Sequence, residues 1–207
     1  MSHSVTDRRQ LLARAIWGTV GLTAASTGAS LAVAAPAAAS TKTVTYDVAC
    51  LLNTFTPIVA EGSTDPSSNF RGTTFFVEGE LYPAGAIADG ATNFDPASVP
   101  AIGHWMCRGW FINRTGRAGE ADRPEPHVVT HQEYLIGRIS EGNLFPVDQL
   151  SSSGLEGDNS GRSATRSVVG GAGMWQAATG SVVQHVIGTN TTTGPNFRFV
   201  FDLAKKS

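Results

Sequence analysis

Short runs of alternating apolar and polar residues, each ended by turn-forming residues, limit what this chain can fold into more than any other feature. The clearest run, at residues 197–203, places four apolar side chains on one face: Phe197, Phe199, Phe201 and Leu203. Such alternation is typical of a half-buried strand. No window carries the periodicity of an amphipathic helix, and 23 glycines punctuate the chain. The pattern therefore predicts an all-β domain, either a sandwich or a barrel.

The same reading predicts seven strands, at residues 43–50, 73–82, 104–112, 127–137, 167–171, 181–187 and 197–203. It predicts connecting loops at residues 60–69, 83–101, 113–126 and 142–161, which are rich in Gly, Pro, Ser, Asp or Asn. Closing the sheet removes exposed strand edges, which favours a barrel in an exported protein.

The first 39 residues predict export. Paired arginines, Arg8 and Arg9, precede a weakly hydrophobic Ala/Gly/Thr-rich stretch, and small residues at 37–39 suit signal peptidase cleavage. We therefore expect a twin-arginine signal peptide at residues 1–39, a single domain at 40–207, and a secreted or cell-envelope location. Later apolar runs are too short to span a bilayer, so no membrane association is expected after the signal is removed.

The charge balance argues against nucleic acid as a partner. The chain carries 15 Lys and Arg against 17 Asp and Glu, without a basic cluster. Nucleic-acid binding requires several basic side chains that neutralise phosphates.

Two cysteines, Cys50 and Cys107, are present. In an oxidising compartment they predict one disulfide that closes a long loop. Two buried thiols on separate strands are the alternative, and the sequence leaves both open because it does not fix the distance between them.

Polar residues on the predicted strands are candidates for chemistry inside a barrel. Glu78, Glu80 and Tyr82 share one strand face; simple alternation puts them outside, whereas an inward glutamate would serve as an acid or base. His104, Arg108 and Trp110 share a face of the next strand, where an arginine beside aromatic rings suits an anionic ligand.

His131 and Glu133 point the same way on the fourth strand, a spacing that suits two ligands of one metal. With His104 they would form a cupin-like centre. The alternative is a partly buried, hydrogen-bonded pair without metal.

The segment at residues 169–182 carries the most specific pattern: Gly-Gly-x-Gly, the aromatic Trp175, then Ala178, Gly180 and Val182. Glycines permit positive φ and close backbone approach, and Trp175 can plug one barrel end. Together with Gly188-Thr189-Asn190, the terminal strand and Tyr46-Asp47, this pattern resembles the allene oxide cyclase/dirigent barrel superfamily. The resemblance implies a closed antiparallel eight-stranded barrel with an apolar cavity, assembled as a dimer or trimer and working without cofactor or metal.

We therefore consider three functions. The first is a cofactor-free cyclase, isomerase or dirigent-like protein that acts on a small apolar metabolite. The alternatives are a non-catalytic ligand-binding or interaction barrel, and a cupin-like metal-dependent enzyme. The candidate catalytic residues are Glu78, Glu80, Glu133 and Tyr134. The candidate ligand-binding residues are Tyr46, Tyr82, His104, Arg108, Trp110 and His131.

Overall fold

The computed structural model of the chain describes residues 41–59, 72–112, 127–137, 148–157 and 163–204. These ranges hold nine strands: β1 (Thr41–Ile58), β2 (Thr74–Pro83), β3 (Ala91–Phe94), β4 (Gly103–Phe111), β5 (His127–Ile136), β6 (Asp148–Gly157), β7 (Ala164–Ala172), β8 (Gly180–Asn190) and β9 (Pro195–Ala204). A short 3-10 helix, Gly173–Trp175, lies between β7 and β8.

Eight of these strands form a closed antiparallel barrel in the order β1-β2-β4-β5-β6-β7-β8-β9. The last strand closes it, because β9 pairs with β8 on one side and with β1 on the other. The predicted all-β class and the eight-stranded antiparallel barrel are therefore confirmed. The ninth strand, β3, lies in the predicted 83–101 connection and pairs in parallel with the far end of β8.

Alternation along each strand divides the side chains between the interior and the outer wall. The inward faces bury aromatic and aliphatic residues, and all four apolar residues of the 197–203 run are among them. Tyr134 packs edge-on against Phe199 and Phe201, with ring centroids 5.0 and 4.9 Å apart. The barrel is thus packed with rings through this part of its interior.

The connection between β2 and β4 covers part of the outer wall. A second apolar cluster forms there from Ala49, Tyr82, Ile87 and Ile187. Asp47, which is fully buried on the outer side of β1, accepts backbone hydrogen bonds from Gly85 and Ile87 at 2.8 and 3.1 Å. This carboxylate therefore fastens the connection to the barrel.

The glycine-rich turn between β7 and β8 contacts Asp148 at the start of β6. Gly173 adopts a φ of +63°, and the backbone N–H of Met174 donates to Asp148 at 2.7 Å. This turn directs Trp175 into the core, where it is 8% exposed, and Lys42 lies 4.5 Å from its ring.

The predicted 142–161 loop was wrong over residues 148–157, which form β6. Its serines resemble a loop in sequence, yet β6 pairs with β5 along its whole length. Leu150 and Ser152 are fully buried, while Leu155 is half exposed. The inward face of this strand is partly polar because it faces a polar region of the interior.

The predicted disulfide is absent: Cys50 and Cys107 are free, buried thiols. They lie on β1 and β4, and β2 runs between these strands. Two strand spacings of about 4.8 Å each lie between their strands, and the register offsets them by two positions along the strands. Their Cα atoms are therefore farther apart than the roughly 7 Å that a disulfide allows. The alternative of two buried thiols on separate strands is the one observed.

The predicted signal peptide at residues 1–39 lies outside the described residues, as do the predicted loops at 60–69 and 113–126. No helix in the described ranges has the length and hydropathy needed to cross a lipid bilayer.

Candidate functional site

The barrel interior contains a buried arginine, Arg166, on the inward face of β7. It is 2% exposed. Its side chain passes over Gly154 of β6, where an added Cβ would lie 3.1–3.2 Å from Arg166 atoms. The missing side chain at Gly154 opens the path that lets the guanidinium reach Thr130 of β5, where it donates to the hydroxyl and to the carbonyl oxygen.

Glu156 is the counter-ion of this guanidinium. Its Oε2 lies 3.6 Å from Arg166 Nη1, and its side chain is 11% exposed. It lies near the end of β6, beside Val128 of β5 on the same inward face. The pair places a fixed positive group and a carboxylate together in the buried interior, where little solvent screens them. Burial therefore strengthens the interaction between the two charges.

Four uncharged polar side chains extend from Arg166 across the interior. Arg166 Nε donates to Ser152 at 3.1 Å, and the Ser152 and Tyr134 hydroxyls lie 3.3 Å apart. Tyr134 donates to Gln132 Oε1 at 2.6 Å, and Gln132 Nε2 donates to Gln184 at 3.1 Å. All four are at most 6% exposed, so their hydrogen bonds are made within the barrel.

Aromatic rings surround the polar side chains. Trp105 packs against Phe197 and Phe199, and Phe75 packs between Phe55 and Phe111. Within the described residues, three buried polar groups have no hydrogen-bond partner: the indole N–H groups of Trp105 and Trp175 and the Thr73 hydroxyl. Buried polar groups are normally paired, so each of these leaves a hydrogen bond unmade that a ligand or water would supply.

The hydroxyl and thiol groups of the interior are held neutral. Burial raises the pKa of Tyr134, and Arg166 offsets the rise only in part. Burial also raises the pKa of Cys107 well above its ordinary value, with Glu156 acting in the same direction. Neither group supplies an anion near neutral pH.

Seven of the predicted site residues lie on the outer wall and do not reach this interior. They are Glu78, Glu80, Glu133, His104, Arg108, Trp110 and His131. The opposite faces of β2 and β4 bury Phe75, Val77, Trp105 and Cys107, which fixes the outward direction of these polar side chains. The interpretation of Glu78 or Glu80 as an inward acid is therefore wrong, while simple alternation gave the correct face.

The three predicted tyrosines occupy three different environments. Tyr134 belongs to the interior polar cluster. Tyr46 points inward near Phe201, with ring centroids 6.1 Å apart, in the part of the core that holds Trp175. Tyr82 lies on the outer side beneath the 83–101 connection, where its hydroxyl donates to Pro96 O at 2.8 Å.

His131 and Glu133 form a hydrogen-bonded pair on the outer wall, with 2.7 Å between Nε2 and Oε1. Glu133 also accepts from Gln149 and Ser151, and His104 instead lies 3.8 Å from Glu80. No group of three His, Cys, Asp or Glu side chains in the described ranges is placed to hold a metal ion.

The central pair, Arg166 and Glu156, was missed by sequence reasoning. Glu156 fell inside the predicted 142–161 loop, and the fifth strand was predicted to begin one residue after Arg166. One available signal was the alternation of Thr130, Gln132 and Tyr134, which puts three hydrogen-bonding side chains on the face opposite His131 and Glu133.

The described residues therefore form a small closed eight-stranded antiparallel β-barrel with one buried ion pair, Arg166–Glu156, described in its interior. Comparison with solved structures places the fold with the dirigent-type barrels. Two pterocarpan synthase dirigent proteins match with TM-scores of 0.54 and 0.53 at 12% and 14% identity; each match covers 81% of this chain, and 89% and 97% of those chains. A pyocyanin demethylase matches with a TM-score of 0.50 at 12% identity, over 79% of this chain and all of that one.

At these identities the likeness establishes the fold. No family model matches the sequence, and no curated protein matches it.

Proposed function

We propose that this chain, exported as a folded barrel, binds a small, mostly apolar aromatic molecule beside Arg166 and Glu156. There it promotes isomerisation or cyclisation of that molecule by acid–base chemistry without a cofactor. The observation that carries the proposal is the buried Arg166–Glu156 pair. Buried ion pairs seldom stabilise a fold more than well-packed apolar residues do, so stability alone gives little reason for one here.

The surroundings of the pair favour an aromatic ligand that carries an oxygen acceptor. The rings of Phe75 and Phe111 offer apolar faces at the level of the pair, while Arg166 offers donors. A few placed polar groups in an apolar lining are typical of small-molecule sites. The matched barrels are named for pyocyanin demethylation and pterocarpan synthesis, which supports a small-molecule role.

The chemistry follows from the two charges. Glu156 would remove a proton from the carbon next to a carbonyl group, and the electron pair of that C–H bond would move onto the carbonyl oxygen. Arg166 would stabilise the resulting enolate, as fixed cationic donors do for developing oxyanions. In a substrate with a C=C bond next to that carbon, the charge extends to the far carbon of the double bond, and return of the proton there shifts the double bond into conjugation with the carbonyl group. This isomerisation has no net gain or loss of atoms or electrons.

Binding can be tested with 4-hydroxyacetophenone, a planar ketone, as the probe in isothermal titration calorimetry. Arg166→Met should weaken binding about tenfold or more, because a hydrogen bond to a charged group contributes about 1.5–3 kcal/mol. Arg108→Met is the matched control, since Arg108 is exposed on the outer wall, and it should leave the affinity unchanged. Equal affinities in the two variants would contradict the assigned site.

Catalysis can be tested by NMR detection of deuterium uptake into the methyl group of the same ketone in D₂O. Glu156→Gln should abolish the protein-dependent uptake while the ketone still binds. The matched control is Glu78→Gln, because Glu78 is exposed on β2, and it should retain the uptake. Uptake that persists in Glu156→Gln would contradict the role of this carboxylate.

A non-catalytic binding barrel is the second candidate. The observation that favours it is the close packing of Tyr134, Phe199 and Phe201, which fills part of the interior. This candidate predicts that the wild-type protein binds the ketone without deuterium uptake.

A further inference from the structure

The interior polar side chains form a series whose hydrogen bonds have one allowed direction. A guanidinium only donates, so Ser152 Oγ must accept from Arg166 Nε. At the other end, Gln132 Oε1 is a carbonyl oxygen, so the Tyr134 hydroxyl must donate its proton to it. These two constraints leave the Ser152–Tyr134 contact to be assigned.

That assignment follows because Tyr134 has a single hydroxyl proton. Since that proton is used toward Gln132, the Tyr134 oxygen accepts and the Ser152 hydroxyl donates. The series then runs from Arg166 through Ser152, Tyr134 and Gln132 to Gln184, with every donor pointing away from the guanidinium. Successive hydrogen bonds in one direction polarise and strengthen one another.

The direction of these hydrogen bonds depends on Gln184. Its Oε1 accepts from Gln132 Nε2, which holds the Gln132 carbonyl oxygen toward Tyr134. If the Gln132 amide turned over, its N–H would meet the Tyr134 oxygen, and the tyrosine proton would have to turn toward Ser152. Ser152 would then accept twice, and its own proton would lose the Tyr134 oxygen as its acceptor.

We propose that Gln184, acting through Gln132 and Tyr134, is a positioning residue that fixes the direction of the hydrogen bond between Tyr134 and Ser152, the residue that accepts from Arg166 Nε. The same direction means that Tyr134 does not serve as the proton donor to a ligand, because its proton is committed to Gln132. This inference deepens the proposed function, and what it implies for ligand binding rests on that proposed function. The direction of these hydrogen bonds does not, since it is a property of the protein without ligand.

The test compares two variants by the Arg166 Nε–H signal in a ¹H–¹⁵N NMR spectrum, assigned by its loss in Arg166→Lys. Gln184→Met removes the acceptor at similar size and should shift this signal and speed its exchange with water about tenfold. Gln184→Glu keeps an oxygen acceptor and should restore the wild-type behaviour. Gln149→Met is the matched control, because it is the same substitution on the outer wall, where Gln149 contacts Glu133. It should leave the Arg166 Nε–H signal unchanged.

An Arg166 Nε–H signal that is identical in the wild-type protein and in folded Gln184→Met would overturn the proposal. Tyr134→Phe provides a second test if Gln184→Met does not fold. It should shift the Arg166 Nε–H signal in the same direction, and an unchanged signal in this variant would also overturn the proposal.

The ketone affinity of each variant separates the two proposals. A tenfold loss in Gln184→Met that Gln184→Glu reverses supports both. If the wild-type protein does not bind the ketone while the Arg166 signal still responds, the proposed function is wrong and the positioning role stands.

Discussion

Arg198 of β9 donates two hydrogen bonds to Asp47 of β1: Nε lies 2.8 Å from Oδ1, and Nη2 lies 3.2 Å from Oδ2. Asp47 is fully buried, whereas the arginine side chain is 23% exposed. Asp47 also accepts from the backbone of the 83–101 connection, and Arg198 reaches the Ile87 carbonyl and Asp89. This one pair thus joins the first strand, the last strand and the connection that covers them.

The first prediction concerns the stability that this pair confers. Asp47→Ala leaves buried N–H groups and the guanidinium without their acceptor, so the free energy of unfolding should fall by about 3 kcal/mol. Urea unfolding measures it. Asp202→Ala removes an exposed carboxylate from the same sheet region and should cost less than about 0.5 kcal/mol. Similar losses in the two variants would contradict the role given to Asp47.

The second prediction concerns the glycine beneath Arg166. Gly154→Ala brings a Cβ to 3.1–3.2 Å from Arg166, so the arginine has to move. We expect a loss of about 1–2 kcal/mol in stability together with weaker ketone binding. Gly170→Ala is the control, because an added Cβ there meets nothing within 4 Å, and it should leave both quantities nearly unchanged. An unchanged ketone affinity in Gly154→Ala would contradict the close packing of the Arg166 side chain against Gly154.

The third prediction concerns acid sensitivity on the outer wall. Burial alone would raise the pKa of Glu133, but hydrogen bonds from Ser151, Gln149 and His131 outweigh it and lower the pKa below its ordinary 4.5. A carboxyl whose pKa is lower in the folded state stabilises the protein above its unfolded pKa, and this contribution is lost as pH falls through the folded value.

The stability difference between the wild-type protein and Glu133→Gln should therefore shrink as the pH falls below about 4.5. Urea unfolding between pH 3 and pH 7 measures it, with Glu78→Gln as the control that should show no such trend. A difference that grows as the solution is acidified would be the opposite sign and would exclude this account.

The fourth prediction concerns the two thiols. Burial raises the pKa of Cys50 to about 12 and that of Cys107 well above its ordinary value. Thiolate is the reactive form, so the folded protein should resist iodoacetamide at pH 8. After unfolding without a reductant, mass spectrometry should find two alkylated cysteines. A chain that gains no label until it is reduced would instead carry the disulfide.

Much of the barrel could be predicted from alternation and turn residues, as at residues 197–203 and around Trp175. The prediction failed at β6, where both Ser152 and Gly154 face inward: Ser152 accepts a hydrogen bond from Arg166, and Gly154 leaves room for its side chain. Local patterns identify strands whose buried face is apolar, and this strand buries a polar one. The pairing of Arg166 with Glu156 and Thr130 joins three neighbouring strands, and this contact exists only after β5, β6 and β7 have paired.

The pairing of β9 with both β1 and β8 has a consequence for synthesis of the chain. The first strand emerges from the ribosome early, yet one of its edges has no neighbour until the last ten residues of the barrel arrive. A nascent chain that stops before Pro195 would be an open sheet with two bare edges, which is a form prone to aggregation. Closure of the barrel therefore has to wait until its last strand has been synthesised.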